Sequence, residues 1–402
     1  MEEYIKMLSE KLAKFSEETR NEILEDYKEH FQEGRAAGIP DEQIIADLGD
    51  IDEMVAGIIE TPAVKETVTP EVEDNLLRPE TVSTAAADNC STIVVNGTTP
   101  GSIGYSAAIQ VFPSNDGSIH AEYTREIITE NSPKFGITVK NNSGVYAVDF
   151  VIEEMPEPQS KGLLARLFNN HFSLGVKDTG TIKVYVPQNF PVLTVKNSSG
   201  CTAVQGICVG SLSVSSSSGS NACDKIKAND VAIASSSGCN ALSSISASML
   251  AVQSSSGSSN VQSCLANSFG ARSSSGSNIV MNVTASECTI ISSSGGANAE
   301  NITAHNITLT TSSGSSHLNG RANNINITSS SGGVNAHIED HFSCINVKSG
   351  SGSINLSGYD VAHSVHNIFH GSGGVSVQAG EGEKLSSVVN INCGSGHISI
   401  TE

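Results

Sequence analysis

The side chains that could perform acid–base chemistry are few and scattered along the repeated part of the sequence. Polysaccharide lyases and hydrolases need carboxylates and cations that converge on one face of the fold. The candidates are four carboxylates and four cations: Asp224, Asp230, Glu287 and Glu300, with Lys225, Lys227, Arg272 and Arg321. No acidic position recurs in adjacent repeats, so the sequence predicts no catalytic residue and a protein that is not an enzyme.

Histidines are the next candidates for chemistry, and they cluster near the C-terminal end: His337, His341, His363, His366 and His370. His363 with His366 or His370 has the spacing of two metal ligands on a helix. In an extended chain, however, such side chains point to different sides, and no acidic residue or cysteine recurs in register with them. The sequence therefore predicts solvated loop histidines, with no metal and no cofactor.

Serine–glycine pairs are abundant but match no nucleophile or nucleotide motif. The sequence has no Gly-x-Ser-x-Gly, no P-loop and no Rossmann fingerprint. It also lacks the Gly-Gly-x-Gly-x-Asp of calcium-binding repeats. What the pairs show instead is a period, because a Ser-Ser-Gly signature returns at nearly constant intervals. Its glycines are Gly200, Gly219, Gly238, Gly257, Gly276, Gly295 and Gly314, six intervals of 19 residues, and then Gly332 after 18.

Each repeat alternates apolar and polar residues. When the repeats are aligned on the glycine, apolar residues lie 4, 7, 9, 12 and 14 positions after it; the first repeat has Val204, Ile207, Val209, Leu212 and Val214 there. A local period of two predicts short, half-buried strands and excludes helix. A period of about 19 residues predicts stacked rungs. We therefore expect a parallel β-solenoid in which Ser-Ser-Ser-Gly forms a corner and the glycine supplies a positive φ.

Composition and charge limit the class of protein. Aromatic residues make up 4% of the chain and Trp is absent, which fits a thin core of Val, Ile and Ala. Of the net charge of −20, residues 1–80 carry −14, from 22 acidic and 8 basic side chains. This balance argues against direct nucleic-acid binding, which needs a basic face.

The expected compartment is the cytoplasm. The nine cysteines form no C-x-x-C pair, and most fall at inward positions, which suggests a reducing environment. The first fifteen residues are acidic and amphipathic rather than a signal peptide, and no apolar run is long enough to span a membrane. A cell-surface location would require a non-classical export route.

The first sixty residues change to a helical period. Ile5, Leu8, Leu12 and Phe15 share one stripe. A second stripe holds Ile23, Leu24, Tyr27 and Phe31, and two shorter helices follow before residue 60. The sequence predicts a small acidic helical domain over residues 1–60, followed by a flexible acidic linker over residues 61–87.

Two resemblances accompany these patterns. The run Glu22-Ile-Leu-Glu-Asp-Tyr-Lys-Glu-His-Phe-Gln-Glu-Gly34 and the later Asp-Leu-Gly-Asp50 resemble the bacterial HAAS-type helical domain. That resemblance implies a partner that is a PadR-like regulator or a membrane protein. The glycine-punctuated rungs, from about Cys90 to Glu402, resemble the bacterial "putative-adhesin" family of β-strand-repeat proteins, which implies a β-solenoid.

The predicted fold class is α + β with several domains: a small N-terminal α-helical bundle, an acidic linker and a single-chain parallel β-solenoid over residues 88–402. Its first rungs, 88–199, are irregular, and an insertion interrupts them at 153–172. Regular rungs occupy 200–332 and lengthened rungs 333–402. The echo of Val139-Lys-Asn-Asn-Ser-Gly-Val-Tyr-Ala-Val148 in Val195-Lys-Asn-Ser-Ser-Gly-Cys-Thr-Ala-Val204 indicates that the solenoid starts before its regular part.

The insertion includes a short amphipathic helix that either packs over an open edge of the solenoid or serves docking and self-association. The candidate partner-docking residues are Tyr27, Phe31, Leu163, Leu164, Leu167 and Phe168. We expect a non-enzymatic interaction protein whose helical module docks a regulatory or membrane partner and whose solenoid is a rigid binding surface. The alternatives are a cell-surface adhesin and a carbohydrate-active β-helix enzyme.

Overall fold

The structure is a computed structural model. It describes residues 2–11, 81–86, 90–100, 105–125, 133–154, 180–339, 342–361, 364–372, 374–377 and 387–401. Residue contacts divide the chain into two units, Met1–Leu76 with Glu157–Gly175, and Leu77–Pro156 with Val176–Glu402. In the first unit, the described element is helix α1, Glu2–Lys11. The first predicted helix is confirmed over these residues, while the other three predicted helices lie outside the described residues.

The described part of the second unit consists of β-strands and the turns that join them. Its irregular part contains β1 Thr81–Ala86, β2 Thr92–Asn96, β3 Ala108–Pro113, β4 Ser118–Arg125, β5 Lys134–Asn142, β6 Val145–Glu154, β7 Gly180–Val186, β8 Phe190–Asn197 and β9 Thr202–Gln205. The regular rungs contain β10 Val209–Ser216, β11 Asn221–Asp224, β12 Lys227–Ser235, β13 Asn240–Ser243, β14 Ser246–Ser254, β15 Ser259–Ser273, β16 Asn278–Ser292, β17 Ala297–Thr311 and β18 Ser316–Ser329. The lengthened rungs contain β19 Val334–Ile338, β20 Cys344–Ser349, β21 Ile354–Ser357, β22 Ser364–His370, β23 Val375–Val377, β24 Ser387–Cys393 and β25 Ile398–Ile400.

The regular rungs stack as parallel strands in register, which confirms the predicted β-solenoid. From β10 to β17 each residue pairs with the residue 19 positions later, as Cys223 does with Leu242 and Leu242 with Val261. The apolar positions 4, 7, 12 and 14 after each repeat glycine are buried throughout the regular rungs. Position 9 is less buried, since Ala228, Ala247 and Ala304 are only partly covered. In-register stacking works because identical positions repeat the same shape in each rung.

Two further positions, which the alternation did not assign to the core, are buried and polar. Asn221, Asn240 and Asn278 lie two positions after the repeat glycine and are at most 1% exposed. The Asn221 amide donates to the hydroxyl of Ser216 at 3.0 Å and to the carbonyl of Asn240 at 2.9 Å. The Ser216 hydroxyl in turn donates to the carbonyl of Gly219 at 2.5 Å. These hydrogen bonds satisfy the Asn221 N–H groups and the Ser216 hydroxyl inside the corner, where an unpaired group is costly, whereas the side-chain oxygen of Asn221 has no partner.

The repeat glycines are required for close packing and not, as predicted, for a positive φ. Among the described residues, the glycines with positive φ are Gly117, Gly144, Gly180, Gly206 and Gly358, and none belongs to the Ser-Ser-Gly series that runs from Gly200 to Gly332. A Cβ placed on each glycine from Gly219 onward in that series would lie closer than 3.0 Å to the carbonyl oxygen of the repeat glycine in the preceding rung. The corner backbones therefore touch from rung to rung, and only a residue without a side chain fits between them.

A positive φ is found instead six residues after the glycine. Lys225, Ser244, Ser263, Asn282 and Asn301 adopt φ values of 52 to 57° in five successive rungs. The left-handed conformation costs a non-glycine L-residue about 1 to 2 kcal/mol, least for Asn. The 18-residue interval omits this residue: Ala299 pairs with Leu318 and Ile302 pairs with Gly320, so that rung is one residue shorter.

This corner provides a test of the backbone geometry. We expect Ser244→Gly to leave stability unchanged or raise it slightly, and Ser244→Val to lower the free energy of unfolding by about 1 to 2 kcal/mol. The side chain of Ser244 is exposed, so burial contributes little to either change. Urea denaturation followed by circular dichroism measures both variants. Equal stability for the glycine and valine variants would contradict a left-handed corner at this position.

At its N-terminal end the solenoid is covered by antiparallel strands. β6 and β7 form the outermost parallel rung, stacked on β2 and β3, and β8 and β9 stack on the other side of β2 and β3. β5 pairs antiparallel with β6, β4 with β7, and β1 with β4. Such strands hide the edges of the first parallel rung.

Aromatic residues fill this N-terminal cover, which the low aromatic content of the chain did not suggest. The rings of Phe135 and Phe150 stack with centroids 5.3 Å apart, and Tyr123 lies 5.7 Å from Phe150. Tyr105 packs on Phe135 at 5.0 Å. The cover therefore packs large aromatic side chains in its core, whereas the inward residues of the regular rungs are mostly aliphatic.

Three predictions for this region are corrected. Thr81–Ala86, at the end of the predicted linker, forms β1, because its alternating residues pair with β4 from Thr81↔Tyr123 to Ala86↔Ser118. The predicted insertion begins two residues too early, since Glu153 and Glu154 end β6. The Asn-Ser-Gly of 142–144 is a hairpin turn and not a solenoid corner: Ser143 and Gly144 have φ of 51° and 81°, and β5 and β6 pair antiparallel across them. The solenoid nevertheless starts before its regular part, as predicted, in β2 and β3.

The C-terminal rungs stack out of chain order. β24 pairs with β20 on one side and with β22 on the other. Likewise β25 lies between β21 and β23. The last described segment of the chain, 387–401, therefore fills a place between the two rungs that precede it in sequence.

Candidate interaction surface at the C-terminal rungs

The end of the stack formed by β22 and β23 presents apolar side chains to solvent. Among the described strands, β22 pairs only with β24 and β23 only with β25. Val375 and Val377 are 38% and 43% exposed, and Phe369 is 68% exposed. Val375 and Val377 pair with the buried Ile398 and Ile400 on one side, and no described rung covers their other side. Unpaired strand edges and apolar side chains together are typical of an interaction surface.

Beside this end, the outward faces of β18, β20, β24 and β22 form an open groove of about 420 Å³, which we call the C-terminal groove. Its floor includes a column of three asparagines in register, Asn326, Asn346 and Asn390, and Asn367 of β22 extends this column beyond the groove lining. Each amide donates to the side-chain carbonyl of a neighbour: Asn346 to Asn326 at 2.8 Å, Asn390 to Asn346 at 2.8 Å, and Asn367 to Asn390 at 2.9 Å. The column results from outward positions that carry Asn in four stacked rungs.

A second column runs two residues further along the same strands. It consists of Thr328, Lys348, Asn392 and Phe369, paired in that order. All four are exposed, and they line the groove together with the asparagine column. None of the residues that line the groove carries a negative charge, although the chain as a whole has a net charge of −20. Lys348 is the cation among them.

Those C-terminal histidines that the structure describes form no common cluster. His337 Nδ1 lies 3.2 Å from the hydroxyl of Ser357, and His366 Nε2 lies 3.1 Å from the hydroxyl of Tyr359. Burial lowers the pKa of His366, and burial raises the pKa of Tyr359. His341 and His363 lie outside the described residues. In the described part of the chain, no group of His, Cys, Asp and Glu could hold a metal ion.

The candidate carboxylates are spread over two faces of the solenoid. Asp224 accepts a hydrogen bond from Ser243 at 2.5 Å and lies 3.9 Å from the Lys225 ammonium. Glu300 accepts a hydrogen bond from Asn319 at 3.1 Å and lies on the same face. In the stacked column Ser243, Gln262 and Met281 separate Glu300 from Asp224. These carboxylates therefore bond to side chains of the adjacent rung.

The other two carboxylates lie on the face that leads to the C-terminal groove. Glu287 accepts a hydrogen bond from Asn306 at 2.6 Å. In the same column Asp230 is separated from Glu287 by Met249 and Ser268. Of the remaining cations, Arg321 donates to the hydroxyl of Thr303 at 3.2 Å. The structure thus brings no two of the candidate carboxylates together.

The sequence did not predict one hydrogen-bonded group, which is formed by Asp116, His120 and Thr84. His120 Nε2 lies 2.8 and 2.9 Å from the two carboxylate oxygens of Asp116, and His120 Nδ1 lies 3.0 Å from the hydroxyl of Thr84. Hydrogen bonds from His120, the Ser118 amide and Ser114 hold the pKa of Asp116 well below its usual range. Thr84 and His120 are register partners on β1 and β4, so the group fastens β1 to the cover. The Asp-Gly turn at 116–117 was the available signal.

The nine cysteines are free, and they divide by burial. Cys223, Cys264, Cys288 and Cys393 are buried, whereas Cys201 and Cys239 are exposed. Burial raises the pKa of Cys223 and of Cys288 to about 12. A thiol with so high a pKa is a poor nucleophile, so these two side chains act as small core residues.

The candidate docking residues from the sequence, Tyr27, Phe31, Leu163, Leu164, Leu167 and Phe168, lie outside the described residues. Their role remains a prediction. Of the described helices, none has the length and apolar character needed to cross a membrane.

Comparison with known proteins gives two family matches. The HAAS model matches residues 3–57, and the model described as Toastrack DUF4097 matches residues 106–277 and again 264–402. No curated protein matches the chain. A crystal structure described as a "putative cell adhesion protein" from Clostridium sporogenes ATCC 15579 aligns over 81% of this chain and 99% of its own, with 11% identity and a TM-score of 0.21. Agreement that low supports no argument about function.

Proposed function

Because the chain belongs to the Toastrack DUF4097 family and carries a HAAS domain, we propose that it is a non-enzymatic interaction scaffold. In this proposal the acidic helical module docks a protein partner, either a regulatory protein such as a PadR-like regulator or a membrane protein. The β-solenoid holds a binding surface at a fixed geometry. The resemblance of residues 22–50 to HAAS domains motivates the partner class.

The observation that carries the proposal is the difference between the two ends of the solenoid. Antiparallel strands and an aromatic core cover the N-terminal end. The C-terminal end, in contrast, exposes Phe369, Val375 and Val377. In the regular rungs, backbone hydrogen bonds and buried asparagines join one rung to the next: the side-chain amides of Asn221 and Asn240 donate to the carbonyls of Ala234 and Gln253. Such a stack is rigid, so the side chains at its open end are held in place as a preformed binding surface.

Capture of the partner tests the role of the helical module. We expect Tyr27→Ala combined with Phe31→Ala to reduce partner recovery from the full-length chain about tenfold or more, because aromatic anchors at an interface contribute ~2 kcal/mol each. Affinity capture with quantitative mass spectrometry measures the loss. Thr284→Ala, an exposed change in the solenoid, is the control. Leu167→Ala with Phe168→Ala tests the insertion in the same way. Unchanged recovery with both double variants would contradict docking through these residues.

The compartment separates this proposal from the adhesin alternative. The cytoplasm is the predicted location, and recovery of the protein on the cell surface after fractionation would favour an adhesin.

For the enzyme alternative, loss of polysaccharide turnover on Glu287→Gln would contradict a scaffold without catalysis. We expect no such turnover in the wild-type chain, since Glu287 is bonded to Asn306 and separated from Asp230 by two rungs.

A further inference from the structure

The asparagine column of the C-terminal groove retains hydrogen-bonding capacity. An Asn side chain has two N–H donors and a carbonyl with two lone pairs. Within the column, Asn346 and Asn390 each use one donor and one acceptor on neighbouring amides. Cys344 Sγ also donates to the Asn346 side-chain oxygen at 3.7 Å and accepts from the Asn390 side-chain nitrogen at 3.9 Å. Asn346 therefore keeps one free N–H, and Asn390 keeps one free lone pair. A free donor on one rung and a free acceptor on the next match a ligand with repeating hydroxyl groups, since a hydroxyl both donates and accepts.

Phe369 supplies the apolar part of the groove. It is 68% exposed, the highest value among the exposed large apolar side chains of the described residues. It occupies the end of the second column and lines the groove with Asn392 and Lys348. An exposed aromatic face beside polar groups is suited to a ligand that has both C–H and O–H faces.

The charge of the groove limits the chemical class of the ligand further. The groove contains Lys348 and no acidic lining residue, in a chain of net charge −20. The ammonium of Lys348 has no ion pair among the salt bridges of the described residues. A carboxylate of the ligand would provide that ion pair without repulsion from the groove.

From these features we infer that the C-terminal groove binds an extended acidic saccharide chain. Successive sugar hydroxyls bond to the asparagine column, whose members are about 4.8 Å apart along the stack. The C–H face of one sugar packs on Phe369, and a uronate carboxylate pairs with Lys348. The inference rests on the proposed function, in which the solenoid is a binding surface.

A purely structural role for the asparagine column makes a different prediction. Asn ladders also stabilise stacked strands without any ligand. In that case Asn346→Ala would lower stability, while Lys348 and Phe369, whose side chains are exposed, would be irrelevant to any binding. The test therefore uses Lys348→Gln and Phe369→Ala, which leave the hydrogen bonds of the column in place.

The experiment is calorimetric titration of the full-length chain with oligogalacturonate, and with chitin oligosaccharides as neutral probes. We expect oligogalacturonate to bind, Phe369→Ala to weaken binding about tenfold, and Lys348→Gln to remove the preference for the acidic probe over the neutral one. Asn355→Ala is the matched control, because Asn355 is an exposed asparagine of β21 that does not line the groove.

Three results would overturn the inference: no heat of binding with either probe at millimolar concentration, unchanged affinity in both groove variants, or an equal loss in Asn355→Ala. Circular dichroism shows whether each variant is folded. Partner capture by the helical module is measured separately with the Tyr27 and Phe31 variant. If the wild-type chain binds no saccharide but still captures its partner, only the inference about the C-terminal groove is contradicted. If it binds saccharide but the Tyr27 and Phe31 variant captures the partner normally, only the docking role is contradicted.

Discussion

Replacing Gly257 with alanine is expected to lower the free energy of unfolding by about 3 kcal/mol. A Cβ at this position would overlap the carbonyl oxygen of Gly238 in the preceding rung. Backbone atoms cannot move aside as a flexible side chain can, so the two rungs must separate. Separation lengthens the hydrogen bonds of the corner, including that from the Ser256 amide to the Ser236 carbonyl, now 2.8 Å.

Gly270 provides the control; it lies in β15, the strand that follows the corner of Gly257. A Cβ at Gly270 would meet no atom within 4 Å, and its φ is not positive. Its register partners Ala251 and Thr289 already carry side chains. Gly270→Ala is therefore expected to change stability by less than about 0.5 kcal/mol.

Urea denaturation of the two alanine variants, followed by circular dichroism, measures this difference. Hydrogen exchange would also show where protection is lost in Gly257→Ala, which we expect in β13 to β16. Equal midpoints for Gly257→Ala and Gly270→Ala would mean that the corner glycines are not in contact between rungs.

The second large effect concerns the order of the C-terminal rungs. Ile391→Asp is expected to remove hydrogen-exchange protection from β22 and β23 as well as from β24 and β25. Ile391 is 1% exposed and pairs with Val347 on one side and Ile368 on the other. An unpaired carboxylate at such a site costs several kcal/mol, which the edge of the stack cannot supply.

The reason that the loss extends to β22 and β23 is their pairing. Among the described strands, β22 bonds only to β24 and β23 only to β25. If β24 and β25 leave the stack, both edge strands lose their partners. A solenoid stacked in chain order would behave differently, since β22 would rest on β20 and keep its protection.

Hydrogen exchange with mass spectrometry distinguishes the observed stacking order from stacking in chain order. Asn392→Asp is the control, because its side chain is exposed and the neighbouring core is unchanged. Peptides from β12 to β17 should keep their protection in both variants. Protection that persists in β22 and β23 of Ile391→Asp would contradict the out-of-order stack.

Local pattern was sufficient to predict the core of the regular rungs. Val261, Cys264 and Phe269 were assigned inward by alternation alone, and each is at most 3% exposed. Alternation is read from neighbouring residues, and a strand places every second side chain on one face. The buried polar positions were harder to predict, because Asn240 belongs inside only when Ser235 and the next rung supply its hydrogen bonds.

The C-terminal groove could be anticipated only in part. Its asparagines lie at outward positions of strands that the sequence predicted. Their alignment in one column depends on β24 lying between β20 and β22. Read in chain order, Asn367 would be placed next to Asn346, whereas Asn390 lies between them in the structure.

The sequence by itself determined the rung, its length of about 19 residues and its inward side chains, because these follow from alternation and from a repeated glycine. The tertiary structure decided which rungs touch, what covers each end and why the glycine is needed. Those features depend on contacts between residues far apart in the chain: Cys393 pairs with Ser349 on one side and His370 on the other. From the sequence, a glycine at position 257 was expected because of a turn. The structure gives a different reason: the backbone of the preceding rung leaves no space for a Cβ there.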